Sequence, residues 1–84
     1  MTQALKTDPI YFKLVVSGEK TFEVRKDDRN YKEGQDLILQ EYDQLTKTYT
    51  GNEWHGKITM IMRDDAFCKK GFCIMSIKPK ENDY

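Results

Sequence analysis

The sequence predicts an α+β domain that is mainly β, a five- to six-stranded pseudobarrel with one N-terminal helix flanking it. Three observations predict this. One stretch near the N-terminus carries helix start and stop signals. Five or six short apolar or alternating runs follow it, and turn residues separate those runs at even spacing. The 84 residues are enough for one domain and no more. Residues 1–78 are read as that domain, and 79–84 as a polar tail.

Thr2 to Lys6 reads as a short edge strand. Asp8-Pro9 then marks a helix start, a capping carboxylate followed by proline at the first helical position. Ile10, Phe12, Leu14, Val15 and Val16 give that helix its apolar face, and Gly18 supplies the left-handed stop. Thr21 to Lys26 alternates, with Phe22 and Val24 on one face and Thr21, Glu23 and Arg25 on the other. A polar loop from Asp27 to Gly34 leads to a strand over Asp36 to Tyr42, whose Leu37-Ile38-Leu39 is apolar on both faces, as in a covered sheet. Asp43 to Lys47 is a hairpin turn. Tyr49 and Trp54 flank Gly51-Asn52 in a strand or wide turn. Ile58 to Met62 and Phe72 to Ile77 are two further strands joined by the loop Arg63 to Gly71.

Composition narrows the function classes. Charged residues make up 33%, but 14 basic and 14 acidic side chains cancel, which argues against a non-specific DNA coater. The sequence has no apolar run of membrane-spanning length and no secretory pattern, so a cytoplasmic protein without a membrane partner is expected. Cys68 and Cys73 are expected to be free thiols. With the lone His55 they do not complete a four-ligand zinc set, so neither a metal nor a cofactor is expected.

Chemistry concentrates after the first helix. Lys20, Glu23 and Arg25 gather opposite charges at a helix-to-strand junction, where they must pair internally or meet a polar ligand. Glu23 and Arg25 share a strand face about 7 Å apart. The default for such a cluster is a surface ion network worth ~1 kcal/mol or less. Lys26, Arg29 and Lys32 extend it, giving five cations against Glu23, Asp27 and Asp28 between positions 20 and 32. Tyr31 lies in the same loop. Cations interleaved with exposed aromatics suit single-stranded nucleic acid, the guanidinium taking phosphate and the ring stacking a base.

Gly18-Glu19-Lys20-Thr21-Phe22-Glu23-Val24-Arg25 resembles the G-x-K-x-x-E-x-R signature of the activating-signal-cointegrator homology (ASCH) domain, within the PUA-like superfamily. Pro9-Ile10-Tyr11-Phe12, the run Arg25 to Tyr31, Gly34 to Leu39, Tyr49-Thr50-Gly51 and Phe72 to Ile77 are also similar to its short bacterial and phage members. The resemblance implies a pseudobarrel with a cleft between the first helix and the sheet, lined by Lys20, Glu23 and Arg25, with Gly18 making the turn. It implies RNA or nucleotide binding, to which Lys26, Arg29 and Tyr31 are expected to contribute. Some members hydrolyse the amide of N4-acetylcytidine, with the motif lysine as base and a threonine nucleophile at the position of Glu23. A hydrolase acting on a modified nucleoside or RNA is therefore the alternative, with Lys20, Glu23 and Thr21 as its candidate catalytic residues. A third reading is a protein adaptor that pairs through an exposed sheet edge.

Overall fold

The computed structural model describes residues 2–81. It is mainly β, a single five-stranded sheet curled into a half-barrel with one short helix. The elements are β1 (Gln3–Thr7), α1 (Pro9–Val16), β2 (Phe22–Lys26), β3 (Asp36–Asp43), β4 (Thr48–Met62) and β5 (Phe72–Pro79), with strand order β1-β3-β4-β5-β2. β1 runs parallel to β3, and every other pairing is antiparallel. The first two strands in the sequence are thus the two edges of the sheet, and α1 with its turn spans the gap between them.

Asp8 caps α1 as its residue type demands, its side chain accepting from the Ile10 N–H at 3.0 Å, with Pro9 at the first helical position. At the other end the Gly18 N–H bonds to Val15 and the Lys20 N–H to Leu14. This closure needs the positive φ of 85° at Gly18. Phe12 and Val15 enter the core, whereas Ile10 and Val16, also expected on the apolar face, are exposed. Eight residues make barely two turns, too few for five apolar positions to face one sheet.

β4 joins into one 15-residue strand the two segments that the Gly51-Asn52 turn signal separates, so the sheet has five strands. Its first part pairs with β3 and its second with β5, and register shifts at Gln40/Tyr42 and Ile58/Met60 mark where the ladders bend. The core on the concave side is Leu5, Phe12, Val15, Tyr31, Leu37, Leu39, Ile58, Cys73, Met75 and Ile77, with Trp54 packed against it. Both cysteines are buried free thiols. Strand pairing extends past the expected domain end. Pro79 lies opposite Gly56, and the Lys80 N–H bonds to the His55 carbonyl at 3.0 Å. The rest of the expected tail, 82–84, lies outside the described residues. No helix among the described residues is long and apolar enough to cross a membrane.

Tyr31 departs most from its expected role as a stacking residue of the loop. It is 3% exposed and belongs to the core. Asn30, at φ 53°, turns the chain just before it, and Arg63 fastens the loop by donating to the Tyr31 carbonyl at 2.9 Å and to the Asp27 carboxylate at 2.6 Å.

Two tests follow from this packing. A Cβ at Gly56 would collide with the Trp54 ring and stand 2.6 Å from the Lys78 carbonyl oxygen. Gly56→Ala should therefore lower stability by about 1–3 kcal/mol in urea unfolding, with Trp54 fluorescence shifted in the folded state. Burial pushes the Cys73 thiol and the Tyr31 phenol above their ordinary values. Both groups are neutral when protonated, so the unfolded chain ionises first. Stability should hold below about pH 8.5 and fall as pH rises further, less steeply in Cys73→Ala.

Candidate functional site

β2 turns its charged face inward. Glu23 is 3% exposed and Arg25 is half-buried, while Phe22 and Val24 are about half exposed. The physical reason is local neutralisation. Lys20, on the turn after Gly18, donates to Glu23 Oε1 at 2.8 Å and to the Phe22 carbonyl. Arg25 Nε donates to Glu23 Oε2 at 2.9 Å, and its Nη2 reaches Thr7 Oγ1 at 3.3 Å, across the gap to the other edge strand. A carboxylate with a cation on each oxygen is tolerable in the interior, where a lone one is not.

Beside this cluster is an open hollow of about 770 Å³, within the range of small-molecule sites. Thr7 and Asp8 at the end of β1, Tyr11 and Leu14 of α1, Lys20, and Phe22 through Arg25 of β2 line it. Its charged residues balance: Lys6, Lys20 and Arg25 against Asp8, Glu19 and Glu23. The Lys20 ammonium stands 4.8 Å from the Phe22 ring centroid and 5.7 Å from that of Tyr11, so one cation ties the polar floor to an aromatic rim. Tyr11 and Phe22 keep about half of their surface exposed. Among the described residues, Nη1 of Arg25 has no protein partner. The arrangement therefore offers ring faces, a spare guanidinium nitrogen and a partly open ammonium to a flat, polar-edged ligand.

The expected site residues separate. Lys20, Glu23 and Arg25 come together, and Gly18 makes the turn that carries Lys20 over β2. Lys26 is exposed and lies off the cavity wall. Arg29 ties down its loop by donating to the Ala4 carbonyl at 3.2 Å, and it lines a separate hollow of about 430 Å³ with Gln3 and Lys32. Tyr31 is core. The Thr21 hydroxyl is not part of the cavity wall, and its carbonyl accepts from the Ile77 N–H.

Thr7, Tyr11, Leu14 and Phe22 were missed by sequence reasoning. Tyr11 carried only a weak signal, a ring turned about 100° around the helix from the buried Phe12. Thr7 carried none, because only the crossing between edge strands brings it to Arg25. Glu41 was also missed. It is buried on the concave side and accepts from Thr50 at 2.7 Å and Asn52 at 3.1 Å. Trp54 packs against the core, and His55 is surface-exposed, 3.2 Å from Glu53.

Comparison with protein families matches residues 2–77 to the family described as "Domain of unknown function (DUF3850)". Among curated proteins, the "Uncharacterized 12.9 kDa protein in GpA 3'region" of Escherichia phage P2 is 47% identical over 49 residues. That stretch is 58% of this chain and 43% of the phage protein, so the chain spans less than half of that relative's length.

Glu23 holds two cations in place, and removing it leaves both without a counter-charge in a partly buried position. Glu23→Ala should cost about 3 kcal/mol in denaturant unfolding. Lys20→Ala, which leaves Glu23 paired with Arg25, should cost roughly 1 kcal/mol.

Proposed function

The chain belongs to the DUF3850 family, whose description leaves its function open, and from the site described above we propose that it is an RNA- or nucleotide-binding module. We further propose that the family is related to the ASCH domains of the PUA-like superfamily. The observation that carries the functional reading is the Lys20–Glu23–Arg25 cluster at the floor of a hollow rimmed by exposed aromatic rings. An ion network that served only as scaffold would be expected beneath packed side chains. Here it adjoins about 770 Å³ of open space. Free thiols at Cys68 and Cys73 suit a reducing compartment such as the cytoplasm.

The charge balance of the lining decides what kind of binding this is. With Glu23 already neutralising its neighbours, phosphate attraction is weak, and stacking on Phe22 and Tyr11 supplies most of the affinity. The outer face of Arg25 remains for one phosphate, and Lys6, its ammonium 4.5 Å from the Tyr42 ring at the margin of the hollow, for a second. Binding is favoured over hydrolysis because the Lys20 ammonium donates to Glu23 and to the Phe22 carbonyl. The Thr7 hydroxyl, which donates to the Leu5 carbonyl and accepts from Arg25, has no base beside it.

Titration of labelled single-stranded RNA hexamers should give micromolar binding whose logarithm falls with log salt at a slope of about −1.4. Phe22→Ala should weaken it about tenfold at unchanged slope, and Arg25→Ala should flatten the slope by about 0.7. If tens of micromolar protein bind no hexamer at low salt, the reading is wrong.

A further inference from the structure

β2 ends the sheet, and the parity of its ladder with β5 identifies which backbone groups face outward. Phe22 pairs with Ser76 and Val24 with Ile74. The Ile77 N–H donates to the Thr21 carbonyl at 3.0 Å, and the Asp27 N–H to the Gly71 carbonyl at 2.9 Å. Both bonds belong to the same register, so positions 21, 23, 25 and 27 bond toward β5. In an antiparallel ladder bonded and non-bonded pairs alternate. The N–H and C=O of Phe22, Val24 and Lys26 therefore point away from the sheet. No strand among the described residues lies beyond β2. The Phe22 carbonyl is already taken by Lys20. Among the described residues, Val24 is left as the one cavity-lining residue of β2 with both main-chain groups open, between the Phe22 ring and the Arg25 guanidinium.

We propose that the main-chain N–H and C=O of Val24 read the hydrogen-bonding edge of a single nucleobase whose ring lies in the cavity against Phe22. In extended backbone the N–H and C=O of one residue lie side by side. They match a planar group with an acceptor next to a donor, a pattern present on the Watson–Crick edges of all four bases. The Val24 N–H donates to the ring nitrogen or carbonyl of the base, and the Val24 carbonyl accepts from its adjacent N–H.

A peptide adding as a strand is disfavoured. Strands need three or more residues, and the Lys20 bond to the Phe22 carbonyl blocks that ladder at its start. The hollow suits one nucleoside-sized group, and α1 walls it with Tyr11 and Leu14.

This inference rests on the nucleic-acid reading, and backbone substitution separates the two. Proline is tolerated on an edge strand where its missing N–H faces outward, so Val24→Pro deletes the proposed donor and Val24→Ala keeps it. Against uridine and adenosine hexamers, Val24→Pro should bind about tenfold more weakly at unchanged salt slope, and Val24→Ala within about twofold of wild type. Hexamers of N3-methyluridine or N6,N6-dimethyladenosine, whose base donors are blocked, should lose a similar factor with wild type.

Hydrogen exchange at the Val24 amide of wild-type protein provides a readout without any variant, and saturating hexamer should slow it. Binding by Val24→Pro equal to wild type, or exchange at Val24 unchanged under bound RNA, overturns the inference and leaves the nucleic-acid reading standing. Failure of wild type to bind any hexamer overturns both. Joint slowing at Val24 and Lys26 by an added protein strand overturns it in favour of strand pairing.

Discussion

A carboxylate at the mouth of the half-barrel must be neutralised if β2 is to sit as it does. Glu23 faces the interior because Lys20 arrives from the turn to meet one oxygen and Arg25 from two residues along the strand to meet the other. Other features follow from that pairing. It fixes the alternation of β2, so Phe22 and Val24 face outward. It holds the loop after α1 against the strand through the Phe22 carbonyl, and it stretches Arg25 across to Thr7. The ion group therefore has two distinct sides. Its inner side anchors the edge strand, and its outer side remains available to a ligand.

The second constraint is that the sheet does not close. Its edges, β1 and β2, do not pair with each other and are bridged by α1, its turn and the Arg25–Thr7 contact, while Arg29 ties the loop after β2 to β1. A closed barrel leaves no unpaired backbone, whereas an open edge must be shielded or used. Here α1 covers the gap without filling it, and the remaining space is the cavity. The charged floor, the rings of Tyr11 and Phe22, and the outward main chain of Val24 all meet at that opening. Electrical neutrality of the lining makes such a place better suited to a flat, hydrogen-bonding ligand than to a bare phosphate.

Much of this arrangement was legible locally. Asp8-Pro9 and Gly18 bound α1 in the structure as their backbone preferences require. The proximity of Lys20, Glu23 and Arg25 follows from a tight turn and a two-residue strand repeat. What failed to show were outcomes of competition between distant segments. Tyr31 sits in a polar loop and reads as solvent-exposed. An Arg63 contact 32 residues away pins that loop, and the ring enters the core. Gly51-Asn52 reads as a strand or wide turn, and in the fold β4 continues through it as a bulge opposite Glu41, with Gly51 at φ 95°. Arg29 and Lys26 look like members of one basic cluster, but the fold sends one to β1 and the other to solvent.

Local sequence was enough for the class of the fold, the helix and its limits, and the triad of opposite charges, because each depends on neighbours within a few positions. Long-range packing set which face of β2 turns inward, which aromatics remain in solvent, and where an unpaired edge opens. Those depend on the free energy of burying one side of a strand rather than the other, settled by partners that the curl of the sheet brings from far along the chain.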